Sequence, residues 1–136
     1  MPDPLPQSPL PVVLVVEDEP ELLHLTQGHL TRRGCRVVGA TSAEVALVHF
    51  REQPIDLVFT DLRLGGMGGD GLIARVIAAR PDVQVVATSA LMDELDRVQD
   101  QWGRRVRYLL KPYRSADLDA MVAVEVGAIG AAVPVR

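Results

Sequence analysis

Apolar residues come in short blocks along this chain, and most blocks are followed by a stretch in which they recur every three or four positions. Val12-Val13-Leu14-Val15-Val16 is continuous and rich in β-branched residues, as expected of a strand buried on both faces of a parallel sheet. Pro20 suits the first position of the helix that follows; Leu22, Leu23, Thr26 and Leu30 fall near one face, and Gly34 suits its C-terminal cap. Arg36 to Ala40 reads as a second strand. Ser42 to Glu52 reads as a second helix, with Val45, Ala46, Val48 and His49 near one side. Asp56 to Asp61 is a third strand. Beyond a glycine-rich loop, Leu72, Ile73, Val76 and Ile77 set out a third helix that stops before Pro81. Val83 to Thr88 is a fourth strand, Glu94 to Trp102 a weaker helix, Val106 to Leu110 a fifth strand and Ser115 to about Val126 a last helix. Strands and helices that alternate five times over short connections predict an α/β domain: one doubly wound, five-stranded parallel sheet with five helices on both faces.

In such a sheet a ligand lies beyond the carboxyl ends of the strands, so the polar residues that end strands are the informative ones. Glu17 and Asp18 end the first, Asp61 the third, Thr88 and Ser89 the fourth, and Lys111, before Pro112, the fifth. All of them converge on one crevice. Three carboxylates brought together repel one another unless a cation neutralises them, although a solvated acidic rim has the same composition. Oxygen donors without His or Cys favour a hard ion, and a site completed by water and phosphate suits magnesium better than an all-protein calcium cage. An aspartate is also a nucleophile toward phosphorus, assisted by a metal, a lysine and a hydroxyl donor, and Lys111 and Thr88 are of those types. As plain structural residues, Lys111 would be a salt-bridge partner, Thr88 a strand cap and Tyr108 a half-buried core aromatic.

Composition narrows the setting. The chain has 136 residues, one domain's length, with 48% apolar and 24% charged residues and only 4% aromatics, so the core is aliphatic. A net charge of -4 argues against bulk attraction to nucleic acid or anionic lipid, and direct binding to either is not expected. Cys35 is the single cysteine, which excludes an internal disulfide or a multi-cysteine metal cluster; it reads as a small buried apolar residue in a reducing, cytoplasmic setting. His24 and His29 stand five apart, a spacing that does not align them on one helical face as metal ligands. Residues 1–11 hold five prolines and no apolar core of a leader peptide, so they read as an extended tail; residues 128–136 read as a C-terminal tail.

Together these residues resemble the response-regulator receiver domains of two-component signalling, over about residues 12–127. The resemblance implies the flavodoxin-like strand order 2-1-3-4-5. It also implies that Asp61 is the phospho-accepting aspartate. Asp18 would then bind magnesium directly, with Asp61, while Glu17 acts through water and the backbone carbonyl of Arg63 completes the protein ligands. Thr88 matches the switch hydroxyl, Lys111 the phosphate-pairing lysine, Tyr108 the aromatic switch, and Pro112 the family's cis-proline. Arg63 and Ala90 stand where the family governs access of the hydrolytic water. Ser89 occupies a place that usually holds a smaller residue, where it is either an extra donor or simple packing.

The chain departs from the family after Asp61. In place of a methionine-proline turn it has Leu64-Gly65-Gly66-Met67-Gly68-Gly69-Asp70-Gly71, and so much glycine predicts a mobile loop that is costly to order. Gly66, Gly68 and Gly71 also satisfy a GxGxxG fingerprint, but they follow the third strand rather than the first, and Asp61 would repel a pyrophosphate.

The resemblance implies a switch rather than an enzyme, supporting only its own phosphotransfer and autodephosphorylation. Its expected partners are a histidine kinase or histidine phosphotransfer protein, and a downstream protein or second copy docked on the fourth helix, fifth strand and fifth helix, including Trp102. Leu118, Met121, Val122, Val124, Val126 and Ile129 spread around the last helix and favour such a docking face. With nothing expected after the receiver, the chain reads as a stand-alone receiver. The rival expectation is a degenerate receiver that binds a partner constitutively.

Overall fold

The alternation of side chains along each strand builds two cores, one on either face of a single sheet. In the computed structural model, which describes residues 10–120, β1 (Val12–Val16) sends Val12, Leu14 and Val16 to one face and Val13 and Val15 to the other. Around it lie β2 (Arg36–Ala40), β3 (Leu57–Asp61), β4 (Gln84–Ser89) and β5 (Arg107–Leu110), all parallel, in the order β2-β1-β3-β4-β5. This is the doubly wound sheet that the alternation of elements predicted. Strand order reverses between β1 and β3, so their carboxyl ends open onto the crevice.

The helices divide between the faces. On one side Leu23 and Leu30 of α1 (Pro20–Arg32) pack with Leu118 on Val13, Val15, Leu57, Phe59 and Val86; residues 115–120, the described part of α5, are helical. On the other side lie α2 (Ala43–Glu52), α3 (Gly68–Ala79) and α4 (Met92–Trp102), which pack on Leu14, Val16, Val58, Val85 and Ala87. Proline at the start of α1 and Gly34 just beyond its end, at φ 91°, delimit that helix as the sequence predicts.

Several local expectations need correction. The buried face of α2 is Ala43, Ala46, Leu47 and Phe50, whereas Val45 and Val48 are 46% and 49% exposed. The helix turns Phe50 inward, where it carries the most apolar area, and Ser42 caps the N-terminus by accepting the Val45 N–H at 3.1 Å. Gly68 to Gly71 are not loop but the first turn of α3. α4 begins two residues earlier than the sequence suggests, β4 runs one residue further, to Ser89, and a 3₁₀ turn over Gly103–Arg105 leads into β5. Pro11 carries pairing beyond β1, since its carbonyl accepts the Arg36 N–H at 2.8 Å. Residues 1–9 and everything after Ala120 lie outside the described residues, including Met121, Val122, Val124, Val126 and Ile129. Among the described residues no helix is long and apolar enough to cross a membrane.

Candidate functional site

Backbone register assembles the site before any side chain is considered. Val16 pairs with Thr60, placing Glu17 and Asp18 beside Asp61, and Asp61 pairs with Thr88 on β4. The Leu62 N–H donates to the Thr88 carbonyl at 2.9 Å, and the Lys111 N–H donates to the Ser89 carbonyl at 2.8 Å, so the fifth strand delivers its lysine to the same rim. The Lys111–Pro112 peptide is cis.

Lys111 reaches across the crevice. Its Nζ donates to Asp61 Oδ2 at 2.7 Å and to Glu17 Oε1 at 2.6 Å. Asp61 Oδ1 accepts the Arg63 N–H at 3.0 Å, so each oxygen of that carboxylate is held in place. Glu17 and Asp61 are buried and Asp18 is exposed, and the three offer oxygens within 4.8 Å of one another. Burial pushes the Glu17 carboxyl above its ordinary 4.5, against the hydrogen bond and charge of Lys111, with the charge of Asp61 adding to the rise. Burial pulls the Lys111 ammonium down, but its hydrogen bonds to Asp61 and Glu17 outweigh that and its pKa is raised above 10.5.

With all three carboxylates ionised, one ammonium would leave two negative charges, which a divalent cation would neutralise. All donors are oxygen, none is His or Cys, and Asp18 opens to solvent, so the set fits a hard ion that keeps waters.

The remaining residues singled out in the sequence surround this cluster unevenly. Thr88 is buried beside Asp61. Tyr108 is half-buried, its hydroxyl donating to the Gly103 carbonyl at 2.5 Å, and burial together with the Asp100 charge raises its pKa. Its ring lies in a groove of about 550 Å³ with Gln99, Gly103 and Arg104. Ala90 lies in an open cleft of about 320 Å³ with Glu19, Leu22, Lys111, Pro112 and Tyr113, a path from solvent to the lysine. The Ser89 hydroxyl donates to Glu94 Oε1 at 2.5 Å. The Arg63 guanidinium is likewise engaged by Glu94.

This architecture and its strand-end cluster match known proteins. Residues 13–123 match the family model of the response regulator receiver domain. The chain belongs to that family. Its relatives include the transcriptional regulatory protein AruR of Pseudomonas aeruginosa, 34% identical over 115 residues, which cover 80% of this chain and 46% of that protein. Another is the transcriptional regulatory protein KdpE of Mycobacterium tuberculosis, 33% identical over 102 residues, covering 75% of this chain and 45% of that protein. The receiver chain therefore spans about half the length of the curated relatives it matches. Among solved structures, a response regulator receiver domain protein from Clostridium thermocellum superposes with a TM-score of 0.82 at 23% identity, covering 91% of this chain and all of that one. A CheY-like receiver from Methanospirillum hungatei gives 0.79 at 22%, covering 90% and 98%. At these identities the likeness shows the fold.

Three residues of the receiver's site escaped sequence reasoning. Glu44, on the first turn of α2, accepts the Met67 N–H at 2.8 Å and so holds the glycine loop. Tyr113 bonds Thr26 of α1 through its hydroxyl at 3.2 Å and meets the Phe59 ring edge-on at 5.9 Å, bracing the segment after Lys111. Glu94 joins Arg63 to Ser89. None has a sequence signal of its own, because each acts across 5 to 87 positions.

Proposed function

We propose that this receiver is a phosphorylation-activated switch that accepts a phosphoryl group on Asp61. The observation that carries the reading is the bridge from Lys111 Nζ to Asp61 and Glu17 inside a cluster of three carboxylates. An aspartate held by an ammonium beside a cation site has what phosphoryl transfer requires, positioning and charge stabilisation. A carboxylate oxygen of Asp61 attacks the phosphorus of a phosphohistidine on a histidine kinase or phosphotransfer protein. The O–P bond forms as the N–P bond breaks, and the electron pair stays with the imidazole, which takes up a proton. Lys111 then pairs with a phosphoryl oxygen. Asp18 and Asp61, the Arg63 carbonyl, and Glu17 through water would hold magnesium, which offsets the charge building on the transferred oxygens.

Thr88, adjacent to Asp61, then donates its hydroxyl to the phosphoryl group, and Tyr108 leaves Gly103 for the space this opens. The change is read on α4, β5 and α5 around Trp102 and Tyr108, by a protein surface in the same chain, another protein or a second copy. A buried, unreactive Cys35, its thiol pushed up by burial, fits a reducing, cytoplasmic compartment.

The test is acetyl phosphate with magnesium followed by intact mass. A labile phosphoryl adduct on the wild type that is absent from Asp61→Asn supports the switch. No adduct from acetyl phosphate or from a phosphohistidine donor would leave a constitutive binding module instead.

A further inference from the structure

One polar cluster at the rim joins the segments that follow Asp61 and Thr88. Arg63 Nε donates to Glu94 Oε2 at 3.0 Å, and the other oxygen of that carboxylate accepts the Ser89 hydroxyl at 2.5 Å. Ser89 Oγ in turn accepts the N–H of Leu91, the residue that precedes α4, at 3.0 Å. Ser89 is fully buried, and the side chain of Glu94 is 21% exposed. A single carboxylate on the first turn of α4 thus grips two segments, one following Asp61 and one following Thr88.

Both grips sit next to the reacting group. Arg63 gives its backbone N–H to Asp61 Oδ1, so its side chain leaves the chain at the edge of the acceptor, and Ser89 follows Thr88 directly. The guanidinium meets Glu94 through one nitrogen only and is 64% exposed, a contact of the weak, solvent-screened kind. A phosphoryl group on Asp61 adds up to about two negative charges and three acceptor oxygens, a better partner for a guanidinium fork than a singly contacted carboxylate. Arg97, on the next turn of α4, is committed to Asp70 at 2.7 Å and does not replace Arg63 on that carboxylate.

We infer that Glu94 is a positioning residue for the phosphoryl chemistry: it holds Arg63 off the acceptor until phosphorylation draws the guanidinium away and releases the first turn of α4. This rests on the phosphorylation of Asp61 proposed above. Arg63 on the phosphoryl group obstructs the approach of hydrolytic water to phosphorus, so the strength of the Glu94 grip sets the lifetime of the switch. The same exchange loosens α4, which carries the chain's one tryptophan, Trp102, at its far end.

The experiment uses the full chain as wild type, Glu94→Gln, Glu94→Ala, Arg63→Ala and the Arg63→Ala/Glu94→Ala double variant. Each is loaded with acetyl phosphate and magnesium, the donor is removed, and adduct decay is followed by intact mass. Both Glu94 variants should lengthen the half-life by about threefold or more, the scale of freeing one exposed ion pair. Arg63→Ala should shorten it, and the double variant should decay like Arg63→Ala alone. Trp102 fluorescence of Glu94→Ala, before any addition, should already show part of the change that beryllofluoride produces in the wild type. Glu94→Gln keeps the size and the bond to Ser89 and loses only the charge, so it carries the test should Glu94→Ala fold poorly. Unchanged decay in Glu94→Gln, or an equal effect of Glu94→Ala with and without Arg63, overturns the inference and leaves the switch intact. A wild type that takes no phosphoryl group overturns both.

Discussion

Glu17 carries the electrostatic cost of the site. Its raised carboxyl pKa means that the folded, metal-free protein holds a proton there more tightly than the unfolded chain does. The stability this provides is complete below about pH 4.5 and is lost as the pH rises through the raised folded value. Glu17→Gln cannot ionise, so with EDTA at pH 7 it should melt above the wild type, and the gap should close below about pH 4.5. Equal melting temperatures at pH 7 would show that the Lys111 bridge compensates the burial. Lys111 follows the same sign in a far higher range: its raised pKa gives stability that is complete below about pH 10.5 and is lost as the pH climbs past the folded value. Identity at these positions was plain in the sequence because each charge ends an apolar run. The bridge that couples Glu17 to Asp61 was not, since it spans 94 and 50 positions.

Among the elements, the glycine segment after Asp61 differs most from its sequence reading. Gly69 lies so close to β3 that a Cβ would stand 2.3 Å from the Asp61 carbonyl oxygen and 2.7 Å from the Leu62 Cα. Backbone cannot yield as a side-chain tip can, so Gly69→Ala should cost about 1–3 kcal/mol in urea unfolding and also slow phosphorylation by displacing Asp61. Gly66 answers a different need, a φ of 65°, and Glu44 secures the turn through the Met67 N–H. In Glu44→Ala the Met67 amide should exchange with solvent faster than in the wild type while amides of β3 stay protected. The composition of this segment speaks to entropy; the close packing that requires glycine at 69 and the left-handed turn at Gly66 are further demands that composition does not show. The α2 face was misread for a related reason, since Val45 and Val48 match a helical stripe but Phe50 and Leu47 offer more area to the core.

For the molecule as a whole, a cation held by Glu17, Asp18 and Asp61 would link binding to folding. An ion that joins three carboxylates exists as a ligand only of the folded state, so magnesium at a hundredfold excess over its Kd should add about 2.7 kcal/mol of stability. Asp18→Asn should keep the metal-free melting temperature within a few degrees and lose most of the magnesium-dependent increase. Light scattering behind size exclusion, with and without beryllofluoride, tests the output surface, and an unchanged monomer in both states would remove a second copy from the candidate partners.

The sequence by itself determined the class of fold, the order of elements and the strand-end charges. A continuous β-branched run such as Val12–Val16 reads as a strand buried on both faces, and in a parallel sheet the polar residues that end strands gather at one rim. Tertiary structure alone decided which apolar residues of α2 turn inward, why Gly69 must be glycine, and how Glu94 ties Arg63 to Ser89. Those outcomes depend on distances between residues remote in the chain, and local pattern encodes direction and period but not distance.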